Sequence, residues 1–116
     1  MSDAKGFWLA EAESYISECR RANSSLRASE FAARMNRTPV QTAREFRSSV
    51  GTTLKDYLSW RQIECAKELL RNTRRGTAQI ARECGFGTVR TFYRAFRRSV
   101  GCSPTRFRER NVTSAS

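Results

Sequence analysis

Between Val89 and Val100, four arginines (Arg90, Arg94, Arg97 and Arg98) fall at i, i+4, i+7 and i+8. On a helix this spacing gathers them along one side. No Asp or Glu occurs from Val89 to Ser103, so the stretch supplies no acidic partner of its own. The ordinary reading of an exposed arginine stripe is a solvated face laced with i+4 acids, and those acids are missing. Unpaired guanidiniums repel one another unless an anion meets them. The arginine fork suits phosphate oxygens and the O6/N7 edge of guanine, where it makes two hydrogen bonds at once.

Other chemistries lack their parts. Cys19, Cys65, Cys84 and Cys102 contain no CxxC pair, and the chain has no histidine to act as base or to complete a zinc site. The cysteines read as buried or half-buried free thiols of a reducing compartment. No catalytic residue, metal or cofactor is expected, nor any small-molecule ligand within this chain. A thiol-based alkyl acceptor would need a zinc cluster that the scattered cysteines do not form.

The totals agree with an anion-binding role. The 116 residues carry a formal charge of +11, and 39% are hydrophobic. The excess charge is not spread evenly. Residues 1–30 hold four Lys and Arg against five Asp and Glu, whereas residues 31–116 hold eighteen against six. A chain this basic is drawn to polyanions by counterion release. Charge alone leaves a sequence-neutral packager or an RNA binder open beside duplex DNA. No apolar run approaches a membrane span, and the N-terminus has no signal-peptide pattern. A cytoplasmic location with no membrane partner is the expectation.

The arginine stripe belongs to a repeat. At an offset of fifty residues, Thr38/Thr88, Arg44/Arg94, Phe46/Phe96, Arg47/Arg97, Ser49/Ser99, Val50/Val100 and Gly51/Gly101 are identical. Upstream, Phe31-Ala32-Ala33-Arg34-Met35 resembles Ile80-Ala81-Arg82-Glu83-Cys84 once a one-residue gap is allowed. Each copy therefore reads as a short helix, a tight turn and a longer basic helix. Thr38 and Thr88 suit N-caps, Pro39 suits a first helical position, and Gly51 and Gly101 suit left-handed stops. Gln41 completes a capping box with Thr38, which would occupy a side chain otherwise placed to read a base. Gly85 ends the second copy's first helix. Ser103-Pro104 opens a last short helix through about Arg108.

Two further helices frame the copies. Trp8, Ala12, Tyr15, Ile16 and Cys19 fall at helical spacing with one buried face. Leu54 to Arg71 contains neither Gly nor Pro and reads as one linking helix. Leu54, Leu58, Ala66, Leu69 and Leu70 pack there, with Tyr57 and Trp60 nearby. Phe31, Phe46, Phe86, Phe92, Phe96 and Phe107 have core spacing rather than that of a base-stacking platform. The architecture is all-α, about seven helices in two helix-turn-helix units joined by the long central helix. The first unit covers about 8–53, the linker 54–71 and the second unit 72–109, leaving a polar tail over 110–116.

Such units place the first turns of their second helix against base edges. In the second copy, Val89, Arg90, Tyr93 and Arg94 are the candidate base contacts, and Thr88, Arg97 and Arg98 the candidate phosphate contacts. In the first copy, Val40, Ala43 and Arg44 face bases, and Arg37, Thr38 and Arg47 face phosphates.

The run Ile80-Ala-Arg-Glu-Cys-Gly-Phe86, then Phe92-Tyr-Arg-Ala-Phe-Arg-Arg-Ser-Val-Gly-Cys-Ser-Pro104 and Phe107-Arg108, resembles the signature of the AraC/XylS family. The resemblance covers about residues 8–109. It implies a seven-helix double helix-turn-helix fold, with recognition helices at about Pro39–Val50 and Val89–Val100. It also implies bacterial transcription regulation, often activation through contact with RNA polymerase. With two such helices on one chain, binding to double-stranded operator DNA as a monomer is the expectation. Many members carry a separate ligand-binding or dimerisation domain for which this chain has no residues. The chain therefore reads as a short stand-alone regulator or the C-terminal domain of a longer one. Where the family usually has a large aliphatic residue stands Thr42, and the second copy has Phe92 there. The first recognition helix is accordingly expected to pack less firmly and to position more than it reads.

Overall fold

The computed structural model describes residues 3–22 and 24–115, with side chains through residue 111. Among these residues the chain forms seven helices and no strand: α1 (Asp3–Ala22), α2 (Ala28–Arg34), α3 (Pro39–Val50), α4 (Leu54–Asn72), α5 (Thr77–Glu83), α6 (Val89–Val100) and α7 (Pro104–Ala115). The all-α, seven-helix expectation holds.

The boundaries follow local chemistry. At the start of α3, Gln41 N donates to Thr38 Oγ1 and Thr38 N donates to Gln41 Oε1, each at 3.1 Å, a complete capping box with Pro39 just inside it. The Gln41 side chain is thereby committed to the cap. Thr88 Oγ1 accepts from Thr91 N at 3.0 Å to open α6. Helices α3 and α6 both stop at a left-handed glycine, Gly51 at φ 95° and Gly101 at φ 94°, a conformation that a Cβ would penalise. The last helix does not close near Arg108 but runs on to Ala115, so the stretch read as a polar tail is helical through that residue; residue 116 lies outside the described residues. At the other end α1 begins at Asp3, five residues before the expected start of the first unit.

The helices bury two separate cores. Around the first gather Trp8, Ala12, Tyr15, Ile16 and Cys19 of α1, Phe31 of α2, Phe46 of α3, and Leu54 and Leu58 of α4. The second takes Ile63, Ala66, Leu69 and Leu70 from the remainder of α4, with Ile80 and Ala81 of α5, Phe86, and Phe92 and Phe96 of α6. Helix α4 thus donates its first turns to one unit and its later turns to the other. Ile63 belongs to this stripe although its neighbours alone draw attention in the sequence. Trp60 leaves it and is 55% exposed.

Polar ties brace the arrangement. Glu13 of α1 accepts from Tyr57 Oη and from Arg61 Nη2, the latter at 2.8 Å. Burial, reinforced by Glu13, pushes the Tyr57 pKa up to about 12, so its hydroxyl remains a donor. Arg108 reaches the end of α4, giving Nε to Leu70 O at 3.1 Å and Nη2 to Thr73 O at 3.2 Å. These are carbonyls that a helix end leaves without intrahelical partners. The two units also meet directly. Gly85 O accepts from Gln62 Nε2 at 2.8 Å and from Leu26 N at 3.3 Å. Gly85 has φ +81°, and a Cβ there would stand 3.0 Å from Leu26 Cγ, so close approach and backbone conformation both call for glycine.

Candidate nucleic-acid interface

Helix α6 is seated by Phe92 and Phe96, both fully buried, on α5, α4 and α7. With that side fixed, the helix turns Arg90, Arg94, Arg97 and Arg98 to the exterior. Among the described residues no hydrogen bond or ion pair engages any of the four guanidiniums. The structure therefore assembles the stripe as an unanswered array of positive charge on a rigid element. Val89 lies beside it, 38% exposed. Tyr93 is half-buried, with its hydroxyl 3.0 Å from Thr105 Oγ1 and its ring edge-on to Phe92. That anchor holds the tyrosine at the rim of the face. Thr88 is exposed at the cap, where its hydroxyl donates to Thr91 Oγ1.

Helix α3 offers a thinner version of the same face. Val40 is 67% exposed, and Ala43, Arg44, Arg47 and Thr38 are exposed too. Arg44 and Arg47 have no partner among the described residues. Arg37 differs. It is half-buried, pairs through Nε with Glu45 Oε1 at 3.0 Å, donates to Met35 O at 3.2 Å, and lies over the Trp8 ring at 5.3 Å. Its charge is already answered within the unit, unlike those of the other arginine candidates.

Thr42 occupies in α3 the place that Phe92 occupies in α6. It is fully buried, and its hydroxyl has no hydrogen-bond partner. A buried hydroxyl without a partner costs its desolvation, and the smaller side chain fills less of the core. Thr42→Val keeps the shape and removes the orphan group. It should stabilise the protein on the order of 1 kcal/mol in urea-unfolding midpoints, and a loss of stability would show that the hydroxyl is satisfied in solution.

Two arginines escape sequence reading. Arg106 and Arg110 line a shallow depression together with Arg97. They lie beyond the repeated segment, and their counterparts fifty residues earlier are Asp56 and Trp60, so the repeat gives no reason to select them. Their i, i+4 spacing past Pro104 is the signal that was available.

Comparison with known proteins follows the same lines. Residues 31–110 match the family described as a helix-turn-helix domain. An HTH-type transcriptional regulator of Mycobacterium tuberculosis is 36% identical over 89 residues, which is 77% of this chain and 34% of that protein. The arabinose operon regulatory protein of Escherichia coli is 35% identical over 103 residues, 86% of this chain and 34% of its own length. The chain thus spans about a third of the length of these curated relatives. Among solved structures, the DNA-binding domain of AdpA, a global transcriptional factor crystallised in complex with a target DNA, superposes with a TM-score of 0.75 at 27% identity, covering 87% of this chain and 89% of that one. The C-terminal domain of a two-component response regulator from Fusobacterium nucleatum shares the fold, with a TM-score of 0.80 at 24% identity over 92% of this chain and 99% of its own. The first two are named as transcriptional or operon regulators, and the AdpA domain is a DNA-binding domain. No described helix is long and apolar enough to cross a membrane.

Proposed function

Because the chain belongs to the AraC-type helix-turn-helix family, we propose that it binds a specific double-stranded DNA sequence as a monomer and regulates transcription from that site. One observation carries the reading: the unpaired arginine face of α6, held rigid by two fully buried phenylalanines. An acid-free array of this kind finds its counter-charge in a phosphate backbone and its donor-acceptor complement in guanine edges. Arg90 and Arg94, on the first turns of α6, read bases, with Val89 and Tyr93 in apolar or mixed contact. Arg97, Arg98 and the cap at Thr88 meet phosphates.

The first unit engages the neighbouring groove segment. Arg44 reads, Val40 and Ala43 touch base edges or methyl groups, and Thr38 and Arg47 hold the backbone. Arg37, already paired with Glu45, stands at the edge of this set. The molecule is 46 Å along its longest axis, enough to reach two major-groove segments about 34 Å apart on one DNA face. Helix α4, with 19 residues, is about 28 Å long, which favours a duplex bent toward the protein over a straight one. The site is asymmetric and about 20 base pairs long. Activation through RNA polymerase is the regulatory mode proposed, on the strength of the family.

Selection of bound duplexes from a random pool, followed by footprinting, tests the reading. The expected product is one asymmetric sequence protected in two adjacent groove segments. On that sequence, Arg94→Ala should relax preference at particular bases, whereas Arg97→Ala should weaken all sequences alike and lower the salt slope by about 1. Uniform losses for both variants, or selection that yields no consensus, would favour a sequence-neutral nucleic-acid binder instead.

A further inference from the structure

Three of the four cysteines lie around a small cavity at the seam between the two units. Cys65 projects from the middle of α4, and Cys84 is the C-cap residue of α5. Their sulfurs are 2.6 Å apart, nearer to the roughly 2.05 Å of a disulfide than to ordinary contact between unbonded sulfurs. Cys65 is half-buried and Cys84 is buried. Cys19 lines the same cavity, but its thiol turns to Ser25 O at 3.9 Å. Cys102 sits elsewhere, in the depression beside Arg97. Arg20, Arg61 and Glu83 also line the cavity, with Arg61 paired to Glu13 at 2.8 Å, so the thiol pair sits among charges of both signs.

We propose that Cys65 and Cys84 form an oxidisable dithiol that small peroxides close to a disulfide, covalently joining the linking helix to the first helix of the second helix-turn-helix unit. The inference goes beyond DNA binding and does not depend on it. The two sulfurs have distinct parts in the reaction. The Cys84 sulfur beside it, with Arg20 and Arg61, holds the Cys65 thiol below the usual range; the same proximity, with burial, pushes Cys84 up. Cys65 is also the less buried of the two sulfurs, so it is the one a peroxide reaches and the thiolate that attacks. Its sulfur forms a bond to one peroxide oxygen, the O–O bond breaks, and the departing oxygen leaves as water after taking up a proton. Cys84 sulfur then displaces the remaining oxygen from the Cys65 sulfenic acid as a second water. Two thiols lose two electrons in total, and the peroxide gains them.

Position gives the bond a consequence. Cys84 immediately precedes Gly85, whose carbonyl receives Gln62 and Leu26 across the seam. The disulfide closes a ring of chain from residue 65 to residue 84 that contains all of α5. Closing such a ring restricts the unfolded chain more than a folded state that already holds the sulfurs together.

The test uses the full chain, reduced and then exposed to hydrogen peroxide, alkylated and digested with trypsin. The expected result is a covalent link between peptides 62–67 and 83–90, an intact mass lower by two hydrogens, Cys19 and Cys102 still open to alkylation, and reversal by dithiothreitol. The urea midpoint of the oxidised protein should exceed that of the reduced protein. In Cys84→Ser the reaction should stop at a Cys65 sulfenic acid that dimedone traps. A link that maps to other cysteines, four alkylatable thiols after peroxide, or a lower midpoint on oxidation would each overturn the proposal. The mapping and the midpoint are read on the unsubstituted chain and do not depend on how a variant folds.

Discussion

Phe96→Ala should remove about 3–5 kcal/mol of folding free energy, and the loss should fall on the second unit. Phe96 is fully buried and meets Phe92 at 5.8 Å and Phe107 at 5.4 Å, both edge-on. Its deletion opens a cavity under α6 and removes the aromatic contact between α6 and α7. A domain of this size has roughly 5–15 kcal/mol in total, so the loss is a large part of the whole. The first core shares no side chain with Phe96. Trp8 is buried in that first core, whereas Trp60 is exposed, so tryptophan fluorescence reports mainly on the first unit. In urea, the far-UV circular dichroism of the variant should begin to fall before the fluorescence changes, and DNA affinity should drop with it. Coincident transitions would mean that α4 couples the two cores into one cooperative unit.

The double variant Arg90→Ala/Arg94→Ala should lose about 2–6 kcal/mol of binding to the selected duplex, about 1–3 kcal/mol for each arginine, with the sum an upper bound because neighbours on one helix face are not independent. That range approaches the whole margin by which specific DNA binding usually exceeds non-specific binding. The variant should therefore bind operator and random duplex with nearly equal affinity, while Arg97→Ala keeps the ratio between them. The measurement is a competition titration at one fixed salt concentration, because phosphate contacts make absolute affinities vary steeply with salt. Folding should be unaffected, since both side chains are exposed and unpaired among the described residues. A double variant that still prefers operator over random duplex by the original factor would move base reading to α3 or to residues outside both helices.

Helices α3 and α6 differ in packing and in charge. Both copies carry the same cap, the same buried phenylalanine and the same glycine stop, at Thr38, Phe46 and Gly51 and at Thr88, Phe96 and Gly101. They differ at the positions that decide strength. Val40 stands opposite Arg90, Ser48 opposite Arg98, Asp56 opposite Arg106, and Thr42 opposite Phe92. The first helix therefore carries less charge and rests on a smaller, partly polar core residue.

What the sequence determined by itself is everything that depends on neighbours within a few turns. Helical periodicity marked the buried faces of α1 and α6, because every fourth side chain shares a side. Threonine caps and glycine stops placed α3 and α6, because a helix end needs acceptors and a left-handed residue close in sequence. The repeat supplied the two-unit plan, and the missing acids supplied the arginine face. Only the tertiary structure decided what distant residues do to one another. It paired Arg37 with Glu45 and Trp8, took Tyr93 to Thr105, sent Arg108 to the end of α4, left the Thr42 hydroxyl without a partner, and set Cys65 against Cys84. These outcomes depend on how helices far apart in the chain come to pack, which capping and periodicity do not encode. Hence the charge of the arginine face is legible residue by residue, while which of its groups are left without protein partners is settled by the fold.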